Sequence, residues 1–138
     1  MIQNNVAIIW VCHNMDIVYS ILNNSIKNNH YIMFVGNQHI SDELVSNPRI
    51  IVARNLPDNI EHEQDLLTFT AWYAIIKNFL FLNYEYITIL EYDAHIENNF
   101  EQELIQKCQM RTHDVISFVY FEGAFNIDTN LNIMQFFL

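Results

Sequence analysis

The 138 residues predict an α/β fold: a mostly parallel sheet with helices on both faces. Three observations lead there. The strand candidates are continuous apolar runs rather than alternating ones, the mark of strands covered on both sides. Segments of helical spacing separate them, as βαβ units require. A hydrophobic fraction of 51% against 16% charged residues supplies a real core and argues against disorder.

The elements follow in order. Val6 to Val11 is an unbroken apolar strand, ended by the polar break Cys12-His13-Asn14. Ile17, Val18, Ile21, Leu22 and Ile26 recur at helical spacing, with Asn14 or Asp16 as the cap and fraying expected in Asn28-Asn29-His30. Tyr31 to Val35 is a second strand, closed by the turn pair Gly36-Asn37. Ser41 to Leu44 can form one or two helical turns before Asn47-Pro48. Ile50 to Ala53 is a third strand, and Arg54 to Glu61 a polar loop.

Glu63 or Asp65 opens the longest helix. Its apolar positions from Leu66 to Leu82 cover more than one stripe, so it is expected to be largely buried, with Trp72 and Tyr73 in the core. Tyr86 to Leu90 is the fourth strand, Asn99 to Met110 a helix with Phe100, Leu104, Ile105 and Cys108 on one side, and Val115 to Tyr120 a fifth strand. Ile127 to Leu138 ends in a very apolar run, expected either to pack on the domain as strand or helix or to be the cut end of a longer protein. With no internal repeat and no long linker, residues 1–138 read as one domain.

Charge and absent motifs narrow the function. Sixteen acidic against six basic residues give a net charge of −10, which offers no basic face for phosphate backbones and excludes nucleic acid as an expected partner. A nucleotide remains open if carboxylates hold a divalent cation against it. Two cysteines make no disulfide framework, so a reducing, cytoplasmic setting is expected. Val6 to Val11 is too short for a membrane span and lacks the basic start of a signal peptide, and Lys77-Asn78 interrupt the most apolar helix. Two glycines supply neither a dinucleotide fingerprint nor a P-loop. No serine sits in a nucleophile elbow, and the six histidines, His62 and His95 among them, show no zinc spacing.

The strongest site signal is Ile87-Thr88-Ile89-Leu90-Glu91-Tyr92-Asp93, an apolar strand that ends in two carboxylates one residue apart. Ligands of open α/β sheets bind outside the carboxyl ends of the strands. A solvated acidic strand end is the plainer alternative. The chemical reading gives Glu91 and Asp93 to Mn²⁺ or Mg²⁺, hard ions that take oxygen ligands and leave positions for a diphosphate. His13, Asn14 and Asp16, in the loop after the first strand, are the second site candidate, while Arg54 and Asn55 end the third strand and should face the same sheet edge, where a guanidinium can meet phosphate.

Strand, acidic-x-Asp and helix in this order resemble the glycosyltransferases of the GT-A fold over residues 5–120. Glu91-Tyr92-Asp93 stands in the place of their DxD signature, and the aromatic-rich helix from Leu66 to Asn78 is similar to the one that precedes it. The resemblance implies a nucleoside diphosphate sugar as donor and a glycan or other hydroxyl as acceptor. It gives Asp93 the metal, with Glu91 as second metal ligand or a partner of the ribose or sugar, and the first loop the nucleoside. An inverting enzyme also needs a base for the acceptor. Glu122, after the fifth strand, is the candidate, ahead of Asp128, whereas Asp114 precedes that strand and faces the wrong edge. The acceptor-binding half of such enzymes has no counterpart here, which keeps a non-catalytic nucleotide-sugar-binding or protein-interaction module as an alternative. A metal-dependent phosphotransfer or hydrolase domain is the other, weakened because Cys12-His13 stand where it would place an aspartate.

Overall fold

The computed structural model describes residues 6–24, 26–62 and 66–110 of the chain. In order they form β1 (Val6–Cys12), α1 (Met15–Asn24), β2 (His30–Phe34), the single turn α2 (Asp42–Val45), β3 (Ile50–Val52), a 3₁₀ turn (Ala53–Asn55), α3 (Leu67–Lys77), β4 (Tyr86–Glu91) and α4 (Phe100–Met110). The strands make one sheet in the order β3-β2-β1-β4, every pair parallel. The expected α/β class is therefore present, with four strands among the described residues. The fifth strand expected at Val115 to Tyr120 and the apolar end from Ile127 lie outside them.

Strand periodicity splits the core in two. Val6, Ile8, Trp10 and Cys12 of β1 face α1, α2 and α4, meeting Val18, Ile21, Leu44, Leu104 and Cys108. Ala7, Ile9 and Val11 face the other way, against Ala71, Ala74 and Ile75 of α3. All seven β1 residues are buried, which is why the strand reads as a continuous apolar run. The chain lays β2 and β3 to one side of β1, then crosses back to place β4 on the other. Right-handed crossovers in opposite directions need helices on opposite faces, the positions that α1 and α3 take.

The expected fraying at Asn28-Asn29-His30 gives way to a buried junction. Asn29 donates from Nδ2 to the Val6 carbonyl at 3.0 Å, and His30 is 1% exposed. Trp10 Nε1, which can only donate, lies 3.1 Å from His30 Nδ1, so that nitrogen is the acceptor. The ring proton therefore sits on Nε2 and is donated to Glu101 Oε1 at 2.5 Å, with Lys27 Nζ 3.6 Å from the same oxygen. One imidazole thus ties β1, β2 and α4 together.

Two expectations for the longest helix are corrected. It does not run to Leu82: after Lys77 the chain closes a Schellman motif, with Leu80 N–H donating to the Ile75 carbonyl (3.0 Å) and Phe79 N–H to that of Ile76 (3.3 Å). Phe79 occupies the left-handed position, φ 54°, that glycine usually fills, at a cost of about 1–2 kcal/mol. Nor is the helix largely buried. Small Ala71 and Ala74 let one face approach the sheet closely, while Trp72, expected in the core, is 38% exposed and Tyr73 is half-buried.

Candidate functional site

Helices that return antiparallel to a parallel sheet bring their N-termini to the carboxyl ends of the strands. Here the start of α3 reaches the end of β4: Thr68 Oγ1 donates to Glu91 Oε1. Glu91 is the last residue of β4 and lies beside Val11 of β1, so the loop after β1 and the loop after β4 are neighbours. Across that junction the rings of His13 and Tyr92 meet edge to face, with centroids 4.8 Å apart. Strand order reverses between β1 and β4, the place where open sheets of this class take ligands.

The electrostatics of the junction are those of crowded carboxylates. Burial pushes the Glu91 carboxyl above its ordinary range, the negative charge of Asp93 pushes it further, and His13 opposes both. Asp93 and His13 thus both act on the Glu91 carboxyl, in opposite senses. Asp93 is exposed, in the turn that follows β4.

The other candidates have different places. Asn14 caps α1, its Oδ1 accepting from Ile17 N–H at 3.0 Å, which settles the choice of cap and leaves its amide NH₂ as the group for a ligand. Asp16 is exposed on the first turn of α1 and adds negative charge at that helix's positive end. Arg54 and Asn55 lie in the 3₁₀ turn after β3 rather than at the end of a strand. Arg54 Nη1 donates to the carbonyls of Gly36 (2.8 Å) and Gln38 (2.9 Å), and its guanidinium stands over Phe34. Three strand spacings, roughly 14 Å, separate β3 from β4, so Arg54 braces the β2 loop and is not gathered with Glu91 and Asp93. Asn55 is exposed in the same turn. Glu122 lies outside the described residues, as do Asp114 and Asp128.

Two side chains at this edge escape a reading of the sequence alone. Thr68 was foreseeable in kind, since the first turn of a crossover helix must arrive at the carboxyl edge. Glu61 was not. Its Oε2 accepts from Gly36 N–H at 2.7 Å, its Oε1 is buried with no hydrogen-bond partner, and burial raises its carboxyl while the Gly36 amide and Arg54 pull it down. Gly36 itself needs its missing side chain, with φ at +87°. Cys12, at the end of β1, is excluded as a nucleophile because burial pushes its thiol up to about 12.

The raised acids carry a pH prediction. A carboxyl held above its unfolded value binds its proton more tightly when folded. Its stabilisation is therefore complete below the ordinary glutamate value of 4.5 and is lost as pH rises through the folded value. Urea midpoints measured from acid to neutral pH are expected to fall across that window, and to fall less in Glu61→Gln. Equal slopes in the two proteins would remove Glu61 from the account.

Among the described residues, no three His, Cys, Asp or Glu side chains stand together as a metal site, and no helix is long and apolar enough to cross a membrane. Fold and edge together define the class: an α/β protein with an all-parallel sheet and a His–Tyr–carboxylate junction where strand order reverses. No protein-family model, curated protein or solved structure matches the chain.

Proposed function

We propose that this junction binds a nucleoside diphosphate sugar through Mn²⁺ or Mg²⁺, and that the protein is a glycosyltransferase of GT-A type moving the sugar to a hydroxyl acceptor. The observation that carries the proposal is the pairing of Glu91 with Asp93 beside His13 where strand order reverses, with the charge of Asp93 raising the Glu91 carboxyl. Two carboxylates that repel each other fit a hard divalent cation. Because they are only two, diphosphate oxygens and water must fill the remaining positions. When bound, the ion would offset negative charge on the departing diphosphate.

The chain's own residues have definite tasks in this scheme. Asp93 holds the ion directly. Glu91, oriented by Thr68, is its second ligand or the acceptor for a sugar or ribose hydroxyl. His13, backed by Tyr92, presents an aromatic face to the nucleoside, and the amide of Asn14 can donate to it. Glu122 remains the proposed base for the acceptor. The rival phosphotransfer chemistry has no aspartate at the end of β1, where Cys12 is held as the thiol.

Calorimetric titration of the full chain with a panel of nucleoside diphosphates, with and without Mn²⁺, tests the proposal. Metal-dependent binding of at least one member is expected, and binding of none would overturn it. Release of free sugar from the bound donor, or its transfer to an added hydroxyl, then separates an enzyme from a binding module.

A further inference from the structure

The outer face of α3 is apolar, exposed among the described residues and ordered in a pattern. Phe69, Trp72 and Ile76 follow one another on α3 at spacings of three and four, as in the seam of a two-helix coiled coil, and Phe79 follows just past the helix end. Ile76 is 64% exposed, Phe79 73% and the neighbouring Leu82 76%. Phe79 is the telling residue. It occupies the left-handed position of the Schellman motif, where glycine would relieve strain, yet its ring is turned to solvent. Among the described residues, burial of the ring does not offset the strain of that position.

We infer that this face is the interface with a second copy of the chain, α3 packing antiparallel on α3. In sequence these four positions are symmetric about 74. An antiparallel pair therefore sets Phe69 against the second copy's Phe79, and Trp72 against its Ile76, the self-complementarity that a two-fold axis demands. Charge selects the same surface. The chain carries −10 overall, but from Leu66 to Leu82 the only charged residue is Lys77, so copies can meet here without acid facing acid. The exposed side chains offer on the order of 600 Å² per copy. Roughly 1,200 Å² in all is the lower end of what a stable interface buries. Opposed helix dipoles add to the pairing. Because Thr68 precedes Phe69, the helix that docks is also the one that positions Glu91.

Sedimentation equilibrium of the full chain, from low to high micromolar, reads the proposal out. A species of twice the 16.4 kDa chain mass is expected to grow with concentration. Ile76→Glu, which puts an acid into the seam at an exposed position, is expected to weaken association at least about tenfold. Phe79→Gly should do the same while raising the melting temperature of the monomer, a combination that a folding defect cannot produce. A chain that stays monomeric throughout, or a dimer indifferent to both substitutions, would overturn the inference. So would a monomer whose α3 face is covered by its own Ile133 to Leu138 or by lipid vesicles.

Discussion

His30→Ala is expected to destabilise the fold by about 3–5 kcal/mol, measured by urea or thermal unfolding. The imidazole is 1% exposed, so its removal leaves a cavity that the rigid sheet around it closes only in part. Trp10 Nε1–H loses its acceptor inside the core, and a buried donor without a partner costs about 1–3 kcal/mol. Glu101 loses less, because Lys27 remains beside it. Against a total of about 5–15 kcal/mol for a domain of this size, the loss is severe. Trp10→Phe is the smaller companion change, leaving His30 Nδ1 unpaired while keeping most of the apolar contact. A loss below about 1 kcal/mol for His30→Ala would show that the Trp10–His30–Glu101 chain does not hold β1, β2 and α4 together.

The second large effect is on binding. Asp93→Asn is expected to weaken metal-dependent nucleotide binding about 100-fold, or about 2.7 kcal/mol, with little change in stability because the side chain is exposed. Asparagine keeps the shape and one oxygen but removes the charge that a hard cation needs. Glu91→Gln is expected to cost less. The Glu91 carboxyl already accepts from Thr68, and burial and the charge of Asp93 both raise it above its ordinary range. Removing the charge at Asp93 should also bring the Glu91 titration down toward the ordinary range, a shift readable by carboxyl-carbon NMR. Equal affinities for wild type and Asp93→Asn would move any metal elsewhere.

What the sequence revealed and what it hid have physical causes. Strands announce themselves by runs of apolar residues: Val6 to Val11, buried throughout, matches all but the last residue of β1, and the half-buried run Tyr86 to Leu90 all but the last of β4. The α3 stop was missed because its left-handed residue is Phe79, whereas the familiar signal is glycine. The exposed face of that helix was misjudged because burial on a second side and docking by another molecule demand the same residues. His30 was taken for a frayed helix end because its partners lie 20 and 71 residues away. At the sheet edge, His13, Glu91 and Asp93 were legible as residues that directly follow or end strands. Arg54 was placed on the correct edge, but strand order, which sequence does not print, puts β3 at the far side from β4.

The most direct measurement of the metal-and-nucleotide site is paramagnetic broadening of backbone amide resonances by Mn²⁺, recorded with and without a nucleoside diphosphate. The account predicts broadening centred on Glu91 to Asp93 and reaching His13, strengthened by the nucleotide and lost in Asp93→Asn. Broadening spread over the acidic surface, indifferent to nucleotide and to that substitution, would contradict it.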